Sequence, residues 1–174
     1  MSYYEIAGLE DFEGLGADIA TIVPPDEWLT ADEPTRRMLA QWVQDLIRWW
    51  WALDGSVLVF ADLAPGTHGR YELLDDEVTV SSLLVLEDDP SSLLATLAHE
   101  NRHAVQNAIV AGVLPYPHGS EAASEVDMWR EADATYDPED LVAYMYSPVE
   151  TDARAAEAGV QIGYWKHAYE VVRE

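Results

Sequence analysis

The stretch LLATLAHENRHAVQNAIV, Leu93 to Val110, decides how the rest of the chain is read. Leu93, Leu94, Leu97, Ala104, Val105 and Ala108 recur at helical spacing along one side. Asp89 ahead of it can cap a helix, Pro90 fits a first turn, and Gly112 beyond it provides a stop. His99 and His103 are four residues apart, so at about 3.6 residues per turn they lie one above the other. Ser92, Thr96, Gln106 and Val110 share their side. The expected helix packs by its leucine face and presents the two imidazoles on the other.

Two imidazoles stacked in this way can hold one tetrahedral Zn2+. Glu100 lies about 100° around the helix from His99, an offset that reaches a zinc-bound water as general base without making Glu100 a ligand. A catalytic zinc keeps three protein ligands and one open position. An extension of the metzincin type needs Gly at 106 and His at 109, where this chain has Gln106 and Ile109. The third ligand therefore comes from elsewhere.

Glu150, in YMYSPVETDARAAE, is the leading candidate. Ser147 at the cap and Pro148 at the first turn start a helix and put Glu150 in that turn. Alanines at 153, 155, 156 and 158 favour close approach of this helix to the central one. The same spacing also makes a capping box, in which Glu150 bonds the Ser147 amide. His118, Glu121 and Glu125 remain alternative ligands.

HENRH followed by a later helix bearing PVETDARAAE resembles the gluzincin branch of zincin-type metallopeptidases, in particular its small single-domain members. The resemblance rests on about 18 residues around the first motif and 14 around the second. It implies His99, His103 and Glu150 as zinc ligands, Glu100 as general base, and a strand just upstream of the central helix lining a substrate cleft. That strand is SSLLVLEDD here. A thermolysin-like Glu-x-x-x-Asp pattern needs Asp at 154, and this chain has Arg154. Asp152 is then a candidate partner for a ligand histidine, and Tyr144 or Tyr146 a candidate oxyanion stabiliser.

Outward from the motif, the chain reads as one α+β domain over 1–174, with a small, mostly antiparallel sheet. The first 25 residues are weakly patterned and carry no assigned element. TADEPTRRMLAQWVQDLIRWWWALDG is an amphipathic helix, with Leu39, Trp42, Val43, Leu46, Ile47, Trp50 and Leu53 inward. Arg37, Gln41, Gln44, Asp45 and Arg48 face outward, and Gly55 ends the helix. Its tryptophans are read as core. SVLVFAD is a strand, PGTHGR a loop carrying an exposed His68, and Asp75 and Asp76 a turn between strands. One short helix is expected around Glu121 to Ala132. The final helix has room for a bend at Gly159 or Gly163. His167 is read as structural, and Arg102 and Arg154 as surface ion-pair partners.

The 174 residues hold 33 Asp plus Glu against 9 Lys plus Arg, a formal net charge of -24. Such a charge repels phosphates and anionic membranes, so neither nucleic acid nor a membrane is an expected partner. With no cysteine, disulfides and thiolate metal sites are excluded. No positively charged, apolar leader is read at the N-terminus, and a cytoplasmic location is expected. The expected function is a zinc-dependent hydrolase, most simply a metallopeptidase acting on a peptide or protein. The rival readings are a zincin-fold enzyme of another reaction and an acidic binding protein or DNA mimic without catalysis.

Overall fold

The computed structural model describes residues 11–115, 120–135 and 140–171, with backbone alone at Ser120–Ala123, Asp133, Leu141 and Val171. Seven helices and a three-stranded sheet make the described part α+β. In chain order the elements are α1 (Phe12–Ile22), α2 (Pro25–Thr30), α3 (Glu33–Trp50), β1 (Leu58–Ala61), β2 (Gly69–Glu72) and β3 (Glu77–Ser81). They continue with a 3-10 turn at Leu84–Leu86, α4 (Ser91–Val110), α5 (Ser120–Ala134), α6 (Leu141–Met145) and α7 (Pro148–Val171). No described helix is long and apolar enough to cross a membrane.

The sheet order is β1-β3-β2, with β3 antiparallel to β2 and parallel to β1. The sheet is therefore mixed, which corrects the mostly antiparallel expectation. The hairpin between β2 and β3 turns at Leu73–Asp76, where Asp76 takes a positive φ. It folds back so that β3, the most buried strand, takes the centre. SSLLVLEDD is not a cleft strand. After Ser81 the chain leaves the sheet, and its turn carbonyls at Val85 and Glu87 accept hydrogen bonds from the buried Arg36 guanidinium at 3.2 and 2.8 Å. The strand beside α4 is β2.

Asp32 caps α3 by accepting from the Thr35 amide at 3.0 Å. Its buried stripe differs from the expected one. Leu39, Val43 and Ile47 are inside as expected, but so are Gln44 and Arg48, while Trp42 is 49% and Trp49 73% exposed. The cause is polar. Gln44 exchanges amide hydrogen bonds with Asn101 of α4 at 2.6 and 3.3 Å, and Arg48 donates to the Asp54 carbonyl and to Asp76. Of the RWWW tryptophans only Trp51 is fully buried, and the helix ends there, before Gly55.

Positions 12–22, which the sequence pattern left unassigned, form α1 and lie against α7. Three glycines let the two backbones touch. A Cβ at Gly16 would sit 2.1 Å from the Val160 carbonyl oxygen, one at Gly163 would sit 1.9 Å from that of Glu13, and one at Gly159 would meet Phe12 at 2.5 Å. Gly159 and Gly163 thus serve contact and produce no bend, since α7 runs unbroken. Ala153 and Ala156 are buried along α7, but Ala155 and Ala158 face solvent. One apolar cluster joins the helices and the sheet, with Trp28, Trp51, Trp129 and Tyr164 as its large members. Replacing Gly163 by Ala forces α1 and α7 apart. We expect a loss of about 1–3 kcal/mol in urea unfolding, more than the helix propensity of alanine returns.

Candidate metal centre

The site is built where α4 crosses the first turns of α7. On α4 the expected division into an apolar face and a ligand face gives way to burial nearly all round. Glu100, Asn101, Arg102 and Gln106 are buried beside the leucines, because α3, the sheet and α7 each cover one side. The two histidines reach what opening remains, with side chains about one-sixth exposed.

Their Nε2 atoms lie 3.2 Å apart. Glu150, buried at the start of α7, brings carboxylate oxygens to 3.3 Å from His103 Nε2 and 3.5 Å from His99 Nε2. His99, His103 and Glu150 are the group of potential ligands found together among the described residues, their donor atoms within 4.8 Å of one another. The capping-box alternative is half realised. Ser147 Oγ accepts from the Glu150 amide at 3.2 Å, but the Ser147 amide bonds the Tyr144 carbonyl, and the Glu150 carboxylate turns to the histidines.

The ring tautomers follow from the remaining contacts. His103 Nδ1 faces Gln106 Oε1 at 2.9 Å, and His99 Nδ1 faces Glu157 Oε2 at 3.3 Å. Both partners are acceptors, so each Nδ1 carries the proton and donates it. Each neutral ring then points an Nε2 lone pair at the other lone pair and at a carboxylate, an arrangement that calls for a cation or a proton. Oε1 of Glu150 faces His103 and Oε2 faces His99, and one donor atom from each of the three residues lies within 4.8 Å of the others, close enough to share one ion. The donor set fits a divalent metal.

Without a metal, a proton takes that part. Burial pulls the His99 pKa down, but hydrogen bonds to Glu150 and Glu157 and the charge of Glu100 outweigh it, pushing the ring from 6.5 to about 9. Burial raises Glu150, yet its hydrogen bonds with His103, His99 and Tyr144 hold it well below the usual carboxylate range. Arg154 Nη2 adds a contact at 3.4 Å.

Glu100 stands outside the trio. Gly69 of β2 packs directly over it and over Thr96, so that a Cβ there would lie 3.2 Å from Glu100 Oε1 and 2.4 Å from Thr96 Cγ2. The Tyr71 amide hydrogen-bonds the Glu100 carboxylate. Burial raises the Glu100 pKa against the lowering charges of His103 and His99. Nothing in the sequence pattern marked Gly69 or Tyr71, because the strand that carries them touches the motif only in three dimensions.

No family model, curated protein or solved structure matches this chain.

The other candidates divide. Tyr144 bonds the Glu150 carboxylate and lines a cavity of about 840 Å³ beside His103, and Tyr146 lines the same cavity. Arg102 is not a surface residue. It is 1% exposed, bidentate to Asp152 at 2.8 and 3.0 Å, and surrounded by the rings of Phe12, Trp51 and Trp129. Arg154 meets the candidate ligand Glu150 itself. Glu125, on α5, is not part of the trio. His118 lies outside the described residues, as does the side chain of Glu121. His68 is exposed in its loop and His167 half-buried on α7.

A proton and a divalent metal would compete for one position. In the metal-free chain the charged His99 ring, whose folded pKa is raised, stabilises the fold fully below pH 6.5 and loses that contribution as pH rises toward about 9. Affinity for an added divalent metal should run the other way, rising through the same window and levelling above it. Chelator-competition titrations at stepped pH check this, and an affinity that stays flat across the window refutes it.

Proposed function

We propose that this chain is a zinc-dependent hydrolase of zincin-like design, acting on peptide bonds. The observation that carries the reading is the convergence of His99, His103 and Glu150: the two Nε2 atoms lie 3.2 Å apart, with Glu150 Oε1 3.3 Å from His103 and Oε2 3.5 Å from His99. It is joined to a cavity large enough for substrate side chains.

The three residues would hold the ion. When bound, zinc supplies Lewis acidity toward a substrate carbonyl and lowers the pKa of a coordinated water. Glu100 receives the proton of the attacking water and returns it to the leaving amine. Its carboxylate is held by the Tyr71 amide, so it does not have to be ordered at the moment of reaction. Tyr144, through its hydrogen bond, helps to hold the Glu150 carboxylate in place beside the histidines.

The cavity narrows the substrate. Trp129, Met128, Leu73 and Tyr146 give it apolar walls, and Glu131 and Asp140 are acidic lining residues. No lysine or arginine is among the described residues that line it. The described lining therefore offers no cationic side chain to a terminal carboxylate or a phosphate, and suits cleavage within a chain beside an apolar or basic side chain.

Zinc content of protein purified without added metal is the first test. About one zinc per chain, with Glu100→Gln keeping the metal while turnover falls by at least about a thousandfold, is the expected result. Metal-free folded protein overturns the reading, and zinc-loaded protein inert toward a broad peptide panel removes the peptidase part alone. Among peptides that are cleaved, replacing a side chain seated in the cavity by Glu should lower kcat/KM roughly tenfold relative to Gln. Equal rates for the pair refute the acidic-cavity argument.

A further inference from the structure

We infer that Gln106 is the positioning residue of the metal centre, fixing the tautomer of His103 and the placement of Glu150 with one side chain. The inference rests on the metal-site reading above.

A ring that coordinates through Nε2 has to carry its proton on Nδ1, and something has to accept that proton. Gln106 Oε1, nearly one helical turn along α4, does so at 2.9 Å. An amide can be turned either way, and α7 decides which. Gln106 Nε2 lies 2.9 Å from the Val149 carbonyl oxygen and 2.7 Å from Asp152 Oδ2. Both are acceptors only, so nitrogen faces α7, oxygen faces His103, and His103 has to donate from Nδ1.

Asp152 is itself immobilised by the bidentate Arg102 guanidinium at 2.8 and 3.0 Å. A closed chain of donors and acceptors runs Arg102, Asp152, Gln106, His103, and each link has one permitted direction. Val149 immediately precedes Glu150. The amide that orients the ring on α4 therefore also grips the backbone beside the ligand on α7. Gln106 is 3% exposed, so water does not readily replace it.

His99 is served differently. Its Nδ1 partner, Glu157 of α7, is 38% exposed along its side chain, where water can take its place. Glutamate is nearly isosteric with glutamine, but at position 106 it would set a carboxylate against Asp152 and the Val149 carbonyl. An amide is required there.

The test uses the full chain with Gln106→Ala, Gln106→Glu and Glu157→Gln. Three readouts are compared: zinc affinity by chelator competition, ring 15N shifts of His103 in metal-free protein, and the thermal melt. We expect both Gln106 variants to bind zinc about 10- to 100-fold more weakly, with Glu157→Gln much closer to the parent. Gln106→Ala should also lose the single Nδ1-protonated form of His103. A folded Gln106→Ala protein with unchanged affinity and unchanged ring shifts shows a merely structural residue and overturns the inference. If the Gln106 variants do not fold, the parent decides: a His103 ring protonated at Nε2 and not at Nδ1 in metal-free protein refutes the chain of donors. If the parent binds no zinc, the metal reading falls and takes this inference with it, whereas tight binding by parent and variants alike removes the inference alone.

Discussion

The pair between Arg102 and Asp152 is the constraint on which the site depends. The candidate ligands come from two helices and are separated by nearly fifty residues of chain, so a fixed register between α4 and α7 has to precede any shared metal. Arg102 reaches that register from within the core, its guanidinium ringed by Phe12, Trp51 and Trp129. A buried guanidinium is costly unless its charge is matched, and leaving either partner alone costs more than the pair contributes. Misalignment of α7 would strand that cation, so the energetic preference is for the one alignment that also brings Glu150 to the histidines.

Arginine is used inside this fold in a way that its composition hides. Among the described residues three basic side chains, Arg36, Arg48 and Arg102, are buried. Arg36 binds the carbonyls at the end of α2 and in the turn after β3, Arg48 holds the loop after α3 and the turn at Asp76, and Arg102 joins α4 to α7. The planar, permanently charged guanidinium suits this work, since it satisfies several acceptors at once. Glu100 and Glu150 are buried as well, so the interior charges nearly cancel and the outer surface carries the acidic excess. Salt screens such self-repulsion, and a basic partner would feel it at long range.

Much of the site was legible because it is local. The spacing of His99 and His103, the offset of Glu100, and the Ser147–Pro148 helix start each follow from residues within a few positions of one another. The α+β class, the hairpin turn at Asp75 and Asp76, and the helix near Glu121 to Ala132 were legible for the same reason. What escaped was non-local. Helix α1 is short, and its apolar residues are interleaved with glycines whose purpose is visible only against α7. The inward turn of Gln44 and Arg48 answers to Asn101, Asp54 and Asp76, residues that the periodicity of one helix does not see. Gly69 and Tyr71 became part of the site through the placement of β2. The fate of the Glu150 carboxylate, cap or ligand, was undecidable from spacing because both uses share one motif.

The contact between α1 and α7 bears on the order in which the molecule assembles. Tyr164 donates to the Val23 carbonyl at 2.8 Å across 141 positions, and the glycines beside it leave no slack. Closing so large a loop costs conformational entropy that is recovered only when the rest of the interface forms. Native contacts of such long sequence separation slow folding and tend to form after the local ones. Helix α4 and the β2–β3 hairpin can organise early, each from neighbouring residues. The third member of the His99–His103–Glu150 group comes with α7, whose contacts with α1 are of the slow, long-range kind. A nascent or fragmentary chain ending before that helix would carry both histidines and the glutamate between them, yet not the completed centre.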